Sequence, residues 1–520
     1  MNFDIILNEI KPNYTEKQEI YRLSDEIIAT VNEIASKHDI ECKTNLTGSV
    51  AKGTWLSGIA DIDIFIAFPL KTSLDDLKEN GLFLGRETAK KLKANLEERF
   101  ASHPYVTIAL NGYEIDIVPC YDIKNAFQLK SAVDRTILHT NYMKKRLNTK
   151  MRDEVILLKK FMKEVGVYGS EFKVGGFAGY LCEILILKYK TFENTLKQAS
   201  FWKYGEIIDL ENYNTSKLFN DSLIAIDPVD KNRNVGAALT IEKMLDFILA
   251  SRNYSNEKNI NKKIAYFTSF FNFTNTYNSN SNSNNNSNSN NNSNNNSNNS
   301  NNNNNDIIMN NIDNNNVNID NTNVEFYNLF KKDILNKFKD RESKTLIISF
   351  KTPDIAIDNI YPQLNKTTLS IKEKLENIGF KIINTGYWTN ESDLAIILLE
   401  FDSWSLSKYE INIGPKVFNK IACENFINNH GINNVFRYGE FLANNKLRQS
   451  KTPEEFIINN LKEENIHILK IGKDLKKEIL NNYNLNSIED FLENEINWDN
   501  LNEFLIFLDG YLHPNKMLIR

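Results

Sequence analysis

Two aspartates separated by one residue, Asp61 and Asp63, lie in the stretch LTGSVAKGTWLSGIADIDIFIAFP from Leu46 to Pro69. The apolar residues around them read as a strand. Strand side chains alternate between faces, so both carboxylates point one way while Ile62 and Ile64 point into a core. Their Cα atoms then lie about 6–7 Å apart, at roughly 3.3 Å of rise per residue. Like charges that close are unfavourable unless something positive sits between them, and a divalent cation is the usual solution. Two surface acids on a solvent-facing edge strand would give the same triplet. Just upstream, a turn carrying Gly48 and Ser49 offers backbone N–H groups and a hydroxyl, the groups that hold a triphosphate. Further on, YEIDIVPCY carries Asp116 between Ile115 and Ile117, with Glu114 on the same face. Either acid could complete a metal cluster with the first two. The densest basic run of the N-terminal half, KKRLNTKMR (Lys144–Arg152), suits a solvated helix end or, beside a phosphate site, phosphate contacts.

These side chains need elements to position them. Residues 16–38 carry Ile20, Leu23, Ile27, Val31 and Ile34 at helical spacing. A polar connection follows Pro69, and a second helical pattern runs from about Glu87 to Phe100. Two short strands, Tyr105–Leu110 and Tyr113–Val118, are joined by Asn111-Gly112, a strong hairpin signal. Residues 153–165 form a helix with Val155, Leu158, Met162 and Val165 on one face; it ends near Gly166, with Tyr168 just beyond. Phe177–Tyr189 is almost wholly apolar and reads as a buried helix. DPVDKNRNVGAA, from Asp227, reads as a loop carrying Arg233, followed by a helix over about Ala237–Ser251. From about Tyr277 to Asn323 the chain is nearly all Asn and Ser. Such a stretch buries too little apolar surface to order itself, and Asn278–Asn305 is expected to be a disordered insertion without a role in activity. Beyond it, strands (Lys344–Phe350, Lys381–Thr385, Leu394–Phe401) alternate with a helix (Leu369–Ile378). That pattern predicts an α+β domain with a helix on one sheet face, then a polar loop at Gly414-Pro415-Lys416 and a polar, helical last seventy residues or so.

The chain of 520 residues implies two to four domains, and 41% hydrophobic with 25% charged residues is ordinary for a globular protein. A net charge of −5 means that a nucleic-acid partner needs a local basic patch. Cys42, Cys120, Cys182 and Cys423 form no CxxC pair and read as reduced thiols of a cytoplasmic protein without structural zinc. No secretory leader or membrane span is expected. The histidines are scattered, which argues against a histidine-based metal site.

Gly-Ser followed by Asp-x-Asp is similar to the nucleotidyltransferase signature. More narrowly, GSVAKGTWLSGIADIDIFIAFP, YEIDIVPCY, DRTILHTNYM, LLKKFMKEVGVYGSEFKVGGFAGYLCEILI, IDPVDKNRNVGAAL and LLEFDSWSLSKYEINIGP together resemble the archaeal-type (class I) CCA-adding tRNA nucleotidyltransferases. The resemblance implies the α+β class: a polymerase β-like nucleotidyltransferase head with a mixed sheet (1–136), a largely helical nucleotide-recognition domain (137–255), a linker with the Asn-rich insertion (256–325) and an α+β tRNA-binding tail (326–520). It implies that Asp61, Asp63 and Asp116 bind two Mg²⁺. Gly48, Ser49, Lys52, His139, Lys159 and Tyr168 would hold the triphosphate of ATP or CTP, and Arg233 would help read the base. Lys52 stands where the family commonly has arginine, keeping the charge but losing the bidentate fork. Gly175 stands where a basic residue is frequent. The implied partners are the acceptor and T arms of tRNA, with a homodimer as the assembly to expect. The implied activity is template-independent addition of C, C and A to tRNA 3′ ends. A poly(A) polymerase shares the minimal motif and is the alternative. A non-catalytic RNA-binding protein on the same fold would have no need of all three aspartates.

Overall fold

A computed structural model describes residues 3–100, 103–267, 319–496 and 498–514. The Asn-rich segment Asn278–Asn305 lies outside the described residues. The chain forms two compact units whose boundary also falls there.

The first unit contains helices α1 (Asp4–Ile10), α2 (Tyr14–Lys37), α3 (Gly48–Lys52) and α4 (Leu74–Leu92). Its five-stranded sheet has the order β1-β2-β5-β4-β3, with β1 Lys43–Leu46, β2 Ile62–Phe68, β3 Asn95–Phe100, β4 Pro104–Leu110 and β5 Tyr113–Tyr121. β2 and β5 pair parallel and the other pairs are antiparallel, so the sheet is mixed. The Asn13 side chain caps α2 by accepting from the Glu16 N–H. Ile20, Leu23, Ile27 and Val31 then bury one stripe of α2 with the inner face of the sheet.

The helix expected at Glu87–Phe100 lies earlier. α4 starts at the Ser73 cap and stops at Lys93, whose φ of 54° is left-handed, and the residues after it form the edge strand β3. Gly81 and Gly85 fall within the segment expected as a polar connection. They sit in mid-helix, where a Cβ on Gly81 would meet Pro119 at 2.6 Å and one on Gly85 would meet Val106 at 2.7 Å. Their missing side chains let α4 lie directly on β4 and β5.

The same unit continues with α5 (Arg135–Arg146), α6 (Thr149–Glu164), α7 (Gly179–Tyr189), α8 (Phe192–Ala199), a three-stranded sheet of β6 (Glu206–Asp209), β7 (Leu223–Asp227) and β8 (Asp230–Asn234), and α9 (Ile241–Asn256). Phe161, Phe177, Phe192 and Phe247 form an aromatic group within a second, otherwise mostly aliphatic core. The basic run is divided between the last turn of α5, where cations complement the helix dipole, and the first turn of α6. The expected loop from Asp227 is instead a tight hairpin. Its polar residues form strands because the Asn234 amide substitutes for ladder bonds: Oδ1 accepts from the N–H groups of Ala225 and Gly236, each at 2.8 Å, and Nδ2 donates to Leu223 O at 2.9 Å.

In the second unit a helix spans Ile319–Asp340, so the end of the Asn-rich stretch is helical from residue 319. A four-stranded sheet has the order β10-β11-β9-β15, from β9 (Lys344–Phe350), β10 (Ile382–Thr389), β11 (Ala395–Phe401) and β15 (Tyr483–Asn486). β9 and β11 are apolar over most of their length because helices cover both faces, not one. Ile357–Asn377 packs with Leu346, Ile348 and Leu399, and Trp498–Leu512 with Ile347, Ile396 and Leu398. The last residues are therefore not a polar helical tail: Tyr483–Asn486 pairs with β9, and Phe504, Leu505 and Leu508 are fully buried. Gly414-Pro415-Lys416 ends strand β12 (Tyr409–Lys416), which pairs in a small sheet with β14 (Phe441–Leu447), itself paired to β13 (Val435–Tyr438). Buried Glu400 on β11 accepts two bonds from Arg341, at 2.6 and 3.1 Å, and others from Ser343 and Tyr511. Among the described residues no helix is long and apolar enough to cross a membrane.

The α4 glycines carry a prediction. Gly81→Ala should destabilise the first unit by about 1–3 kcal/mol through overpacking, despite alanine's better helix propensity. Denaturant unfolding checks it; a neutral or stabilising change would show that α4 can move off Pro119.

Candidate active site

The stretch expected to be a turn around Gly48 and Ser49 is the short helix α3. Gly48 has φ +66°, and a Cβ there would lie 1.8 Å from Asp63 Oδ2. Only glycine lets α3 start against that carboxylate. Asp63 sits on β2 directly opposite Asp116 on β5, in the parallel pair, with Ile62 facing Ile115 and Ile64 facing Ile117. Asp61 lies exposed one residue before β2. Asp116 accepts from the Thr107 hydroxyl at 2.6 Å. Glu114, the competing acid, is at the rim, 3.4 Å from Arg99. Asp116 is thus the one in register with Asp63.

These acids line a pocket of about 450 Å³ together with Ser49, Lys52, Lys159 and Tyr168. Removal of water, then the charges of Asp116 and Asp61, push Asp63 up to about 7, with Lys52 opposing. Asp116 is also raised, mainly by burial, with the Thr107 bond opposing. Asp61 is raised by loss of water at the pocket wall and by Glu114. Among the described residues no three His, Cys, Asp or Glu side chains already converge on one metal-sized position.

The opposite wall is cationic. Lys52 Nζ, at the end of α3, donates to Glu183 Oε2 at 2.7 Å, and Thr54 Oγ1 donates to Glu183 Oε1 at 2.8 Å. Lys159 Nζ on α6 donates to Thr54 O at 2.9 Å. Burial holds the Lys159 ammonium below the usual lysine range; Glu183 opposes this and Lys52 adds to it. The Tyr168 hydroxyl and the Lys159 ammonium both crowd Gly179 at the start of α7.

His139 and Arg233 line an adjoining pocket of about 500 Å³, and Tyr180 lines both pockets. His139 stacks on Tyr180 with ring centroids 4.0 Å apart. Buried Asp227 joins the set: one oxygen meets His139 Nε2 at 2.8 Å and Arg233 at 2.9 Å, the other the Tyr180 hydroxyl at 3.3 Å. Burial lowers the pKa of His139, against the pull of Asp227. Seven of the residues singled out from the sequence therefore share one pocket, Ser49, Lys52, Asp61, Asp63, Asp116, Lys159 and Tyr168. Gly48 touches it through Asp63, and His139 and Arg233 stand next door.

Comparisons with known proteins match this layout. The model described as nucleotidyltransferase domain matches residues 28–139, that of the tRNA nucleotidyltransferase second domain 153–268, and that of the CCA-adding enzyme C-terminal domain 341–487. The CCA-adding enzyme of Methanothermobacter thermautotrophicus is 38% identical over all 520 residues, covering 100% of this chain and 99% of the relative. The chain belongs to the CCA-adding enzyme family. A second CCA-adding enzyme, from Methanosarcina acetivorans, is 34% identical over 83% of this chain and 82% of its own length. Likeness to solved structures is looser: E. coli MS115-1 CdnC with ATP aligns over 51% of this chain and 94% of its own at 18% identity and a TM-score of 0.40, too distant to bear on the site. Family membership makes the chain a nucleotidyltransferase of the α+β class, and CCA addition to tRNA is the activity it brings.

Two residues of this CCA-adding family member escaped the sequence reading. Glu183 is a lone acid among apolar residues of α7, and Asp227 stood in an expected loop. Glu183 did leave a signal: a carboxylate inside a buried helix needs a partner, so a cation elsewhere in the chain had to face it.

The raised pKa of Asp63 has a stability consequence. Asp63 keeps its proton up to about pH 7 in the fold, and to about pH 4 when unfolded. Between those values the folded state binds more protons, so stability falls as pH rises. In chelator at pH 8, Asp63→Asn should be more stable than the parent by on the order of 2 kcal/mol, with the gap shrinking toward pH 5. Thermal unfolding across that range checks it; a gap that does not depend on pH would show that Asp63 titrates normally.

Proposed function

We propose that this pocket performs template-independent transfer of CMP, CMP and then AMP from CTP and ATP to the 3′-hydroxyl of tRNA. The observation that carries the reading is the in-register pair Asp63–Asp116 facing a cationic wall of Lys52 and Lys159 across one pocket. Asp61, Asp63 and Asp116 would hold two Mg²⁺. The residues fit: the donors are oxygen only, which suits a hard divalent ion, and burial together with neighbouring carboxylates (Asp116 and Asp61 for Asp63, Glu114 and Asp61 for Asp116) raises their proton affinity, as for groups awaiting a cation. Bound there, such ions supply Lewis acidity at the 3′-oxygen and at the departing phosphates.

The protein's own part follows from placement. Ser49 and the start of α3 hold the triphosphate by hydroxyl and N–H groups. The 3′-oxygen attacks the α-phosphorus while the bond to the bridging oxygen of pyrophosphate breaks. Asp116, on the attacking side, orients the hydroxyl and accepts its proton. Lys52, Lys159 and His139 stabilise charge gathering on pyrophosphate, with Tyr168 beside them. Arg233 presents N–H donors to the Watson–Crick edge from the adjoining pocket. The C-terminal unit would embrace the acceptor and T arms through A-form shape and phosphates, so that every tRNA is accepted and affinity falls with salt. The reaction takes place in the cytoplasm, consistent with four free cysteines. A homodimer is the working assembly.

The test is incubation with Mg²⁺, labelled CTP and ATP, and tRNA lacking its 3′ CCA. Ordered addition of two C and one A is expected. Asp63→Ala or Asp116→Ala should lower kcat/KM by roughly a thousandfold or more. Mg²⁺ should raise the thermal midpoint of the parent at pH 8 but not that of either variant. Long A tails on generic RNA would overturn the reading in favour of a poly(A) polymerase.

A further inference from the structure

Beneath the triphosphate wall lies a charge arrangement that the transfer reaction as set out above does not use. Glu183 is 0% exposed, on an otherwise apolar helix, and both its oxygens are engaged. One takes the Lys52 ammonium from the end of α3; the other takes the hydroxyl of Thr54, whose carbonyl in turn takes the Lys159 ammonium. Lys52 and Lys159 are only 7% and 3% exposed, and both line the pocket. Two buried cations thus share one buried anion, which leaves the wall with net positive charge. An ammonium has three donors. Within this chain of contacts Lys52 donates to Glu183, and Lys159 donates to the Thr54 carbonyl at 2.9 Å with a longer contact to its hydroxyl at 3.5 Å, so each keeps donor capacity for a ligand.

We propose that Glu183 is a positioning residue for nucleotide binding: through Lys52 directly, and through Thr54 to Lys159, it fixes both ammonium groups where a single triphosphate meets them together. The inference rests on the reading that Lys52 and Lys159 hold the triphosphate. An isolated ammonium on a four-carbon stem has many rotamers, and ordering two of them at binding would weaken affinity. Glu183 orders them beforehand. A single carboxylate beside two lysines also gives their buried positive charge a counter-ion without cancelling the field that attracts the anion. With two carboxylates the wall would be neutral, and with none the lysines would repel.

The experiment uses the full chain and tRNA lacking its CCA. Glu183→Gln keeps the shape and one hydrogen-bond acceptor but removes the charge. It should raise KM for both CTP and ATP about tenfold while kcat stays within about threefold. Thr54→Val, which removes the hydroxyl that joins Glu183 to this residue and keeps the carbonyl that takes Lys159, should raise both KM values about threefold. A merely structural glutamate would instead lower the thermal midpoint and the active fraction and leave KM unchanged; that result in both variants overturns the inference. Lys52→Met and Lys159→Met separate the two levels: if they leave KM unchanged, the reading of the triphosphate wall itself fails. Should Glu183→Gln not fold, Lys52→Met/Glu183→Met removes the pair together. It is expected to recover the parent's thermal midpoint while keeping the high KM of Lys52→Met, and parental KM in that double variant also overturns the inference.

Discussion

Parallel pairing of β2 with β5 is the constraint on which the site depends. It is the parallel junction in an otherwise antiparallel sheet, and it sets Asp63 beside Asp116. The register is not held by the aspartates, which repel. It is held from the opposite face, where Ile62, Ile64, Ile115 and Ile117 are all fully buried. A slip of one residue would turn those isoleucines to water and the carboxylates into the core. The apolar core thus holds two carboxylates together in a half-dry place, and burial, with the Asp116 charge added for Asp63, raises their proton affinity. Gly48 adds to the constraint, because α3 can begin against Asp63 only where no side chain intervenes.

The second wall answers the first in sign. The acids come from the strand face, and Lys52, His139, Lys159 and Arg233 from α3, α5, α6 and β8. Two buried acids anchor three of these side chains: Glu183 takes Lys52, and Asp227 takes His139 and Arg233. Such acids solve two problems together. They keep buried cations from being left without a partner, which costs several kcal/mol. They also stop flexible side chains from searching rotamers when a ligand arrives. Tyr180, stacked on His139 and lining both pockets, makes the two clusters one continuous surface.

How much of this was legible in the sequence follows from how local each signal is. The alternation around Asp61, Asp63 and Asp116, the Asn-Gly hairpin and the stripe of α2 are short-range patterns, and the structure keeps them. The misread segments share a cause: a residue whose local habit was overruled by a distant contact. The first half of α4 reads as a polar connection, and what it packs on, Pro119 and Val106 against Gly81 and Gly85, lies on distant strands. Asp227–Asn234 read as a loop because the groups its polar side chains satisfy are those of its own ladder. The chain end, helical over Trp498–Leu512 as expected, was misread only as polar, because the sheet face that buries Phe504 and Leu508 is built from residues more than a hundred positions earlier. Glu183 is the limiting case. Its partner Lys52 is 131 residues away, and nothing within a helical turn of it is charged except through the fold. Composition could say that this carboxylate needs a cation; only the packing of α7 against α3 says which one. That is why a buried acid in an apolar helix marks where long-range chemistry has been inserted into a core.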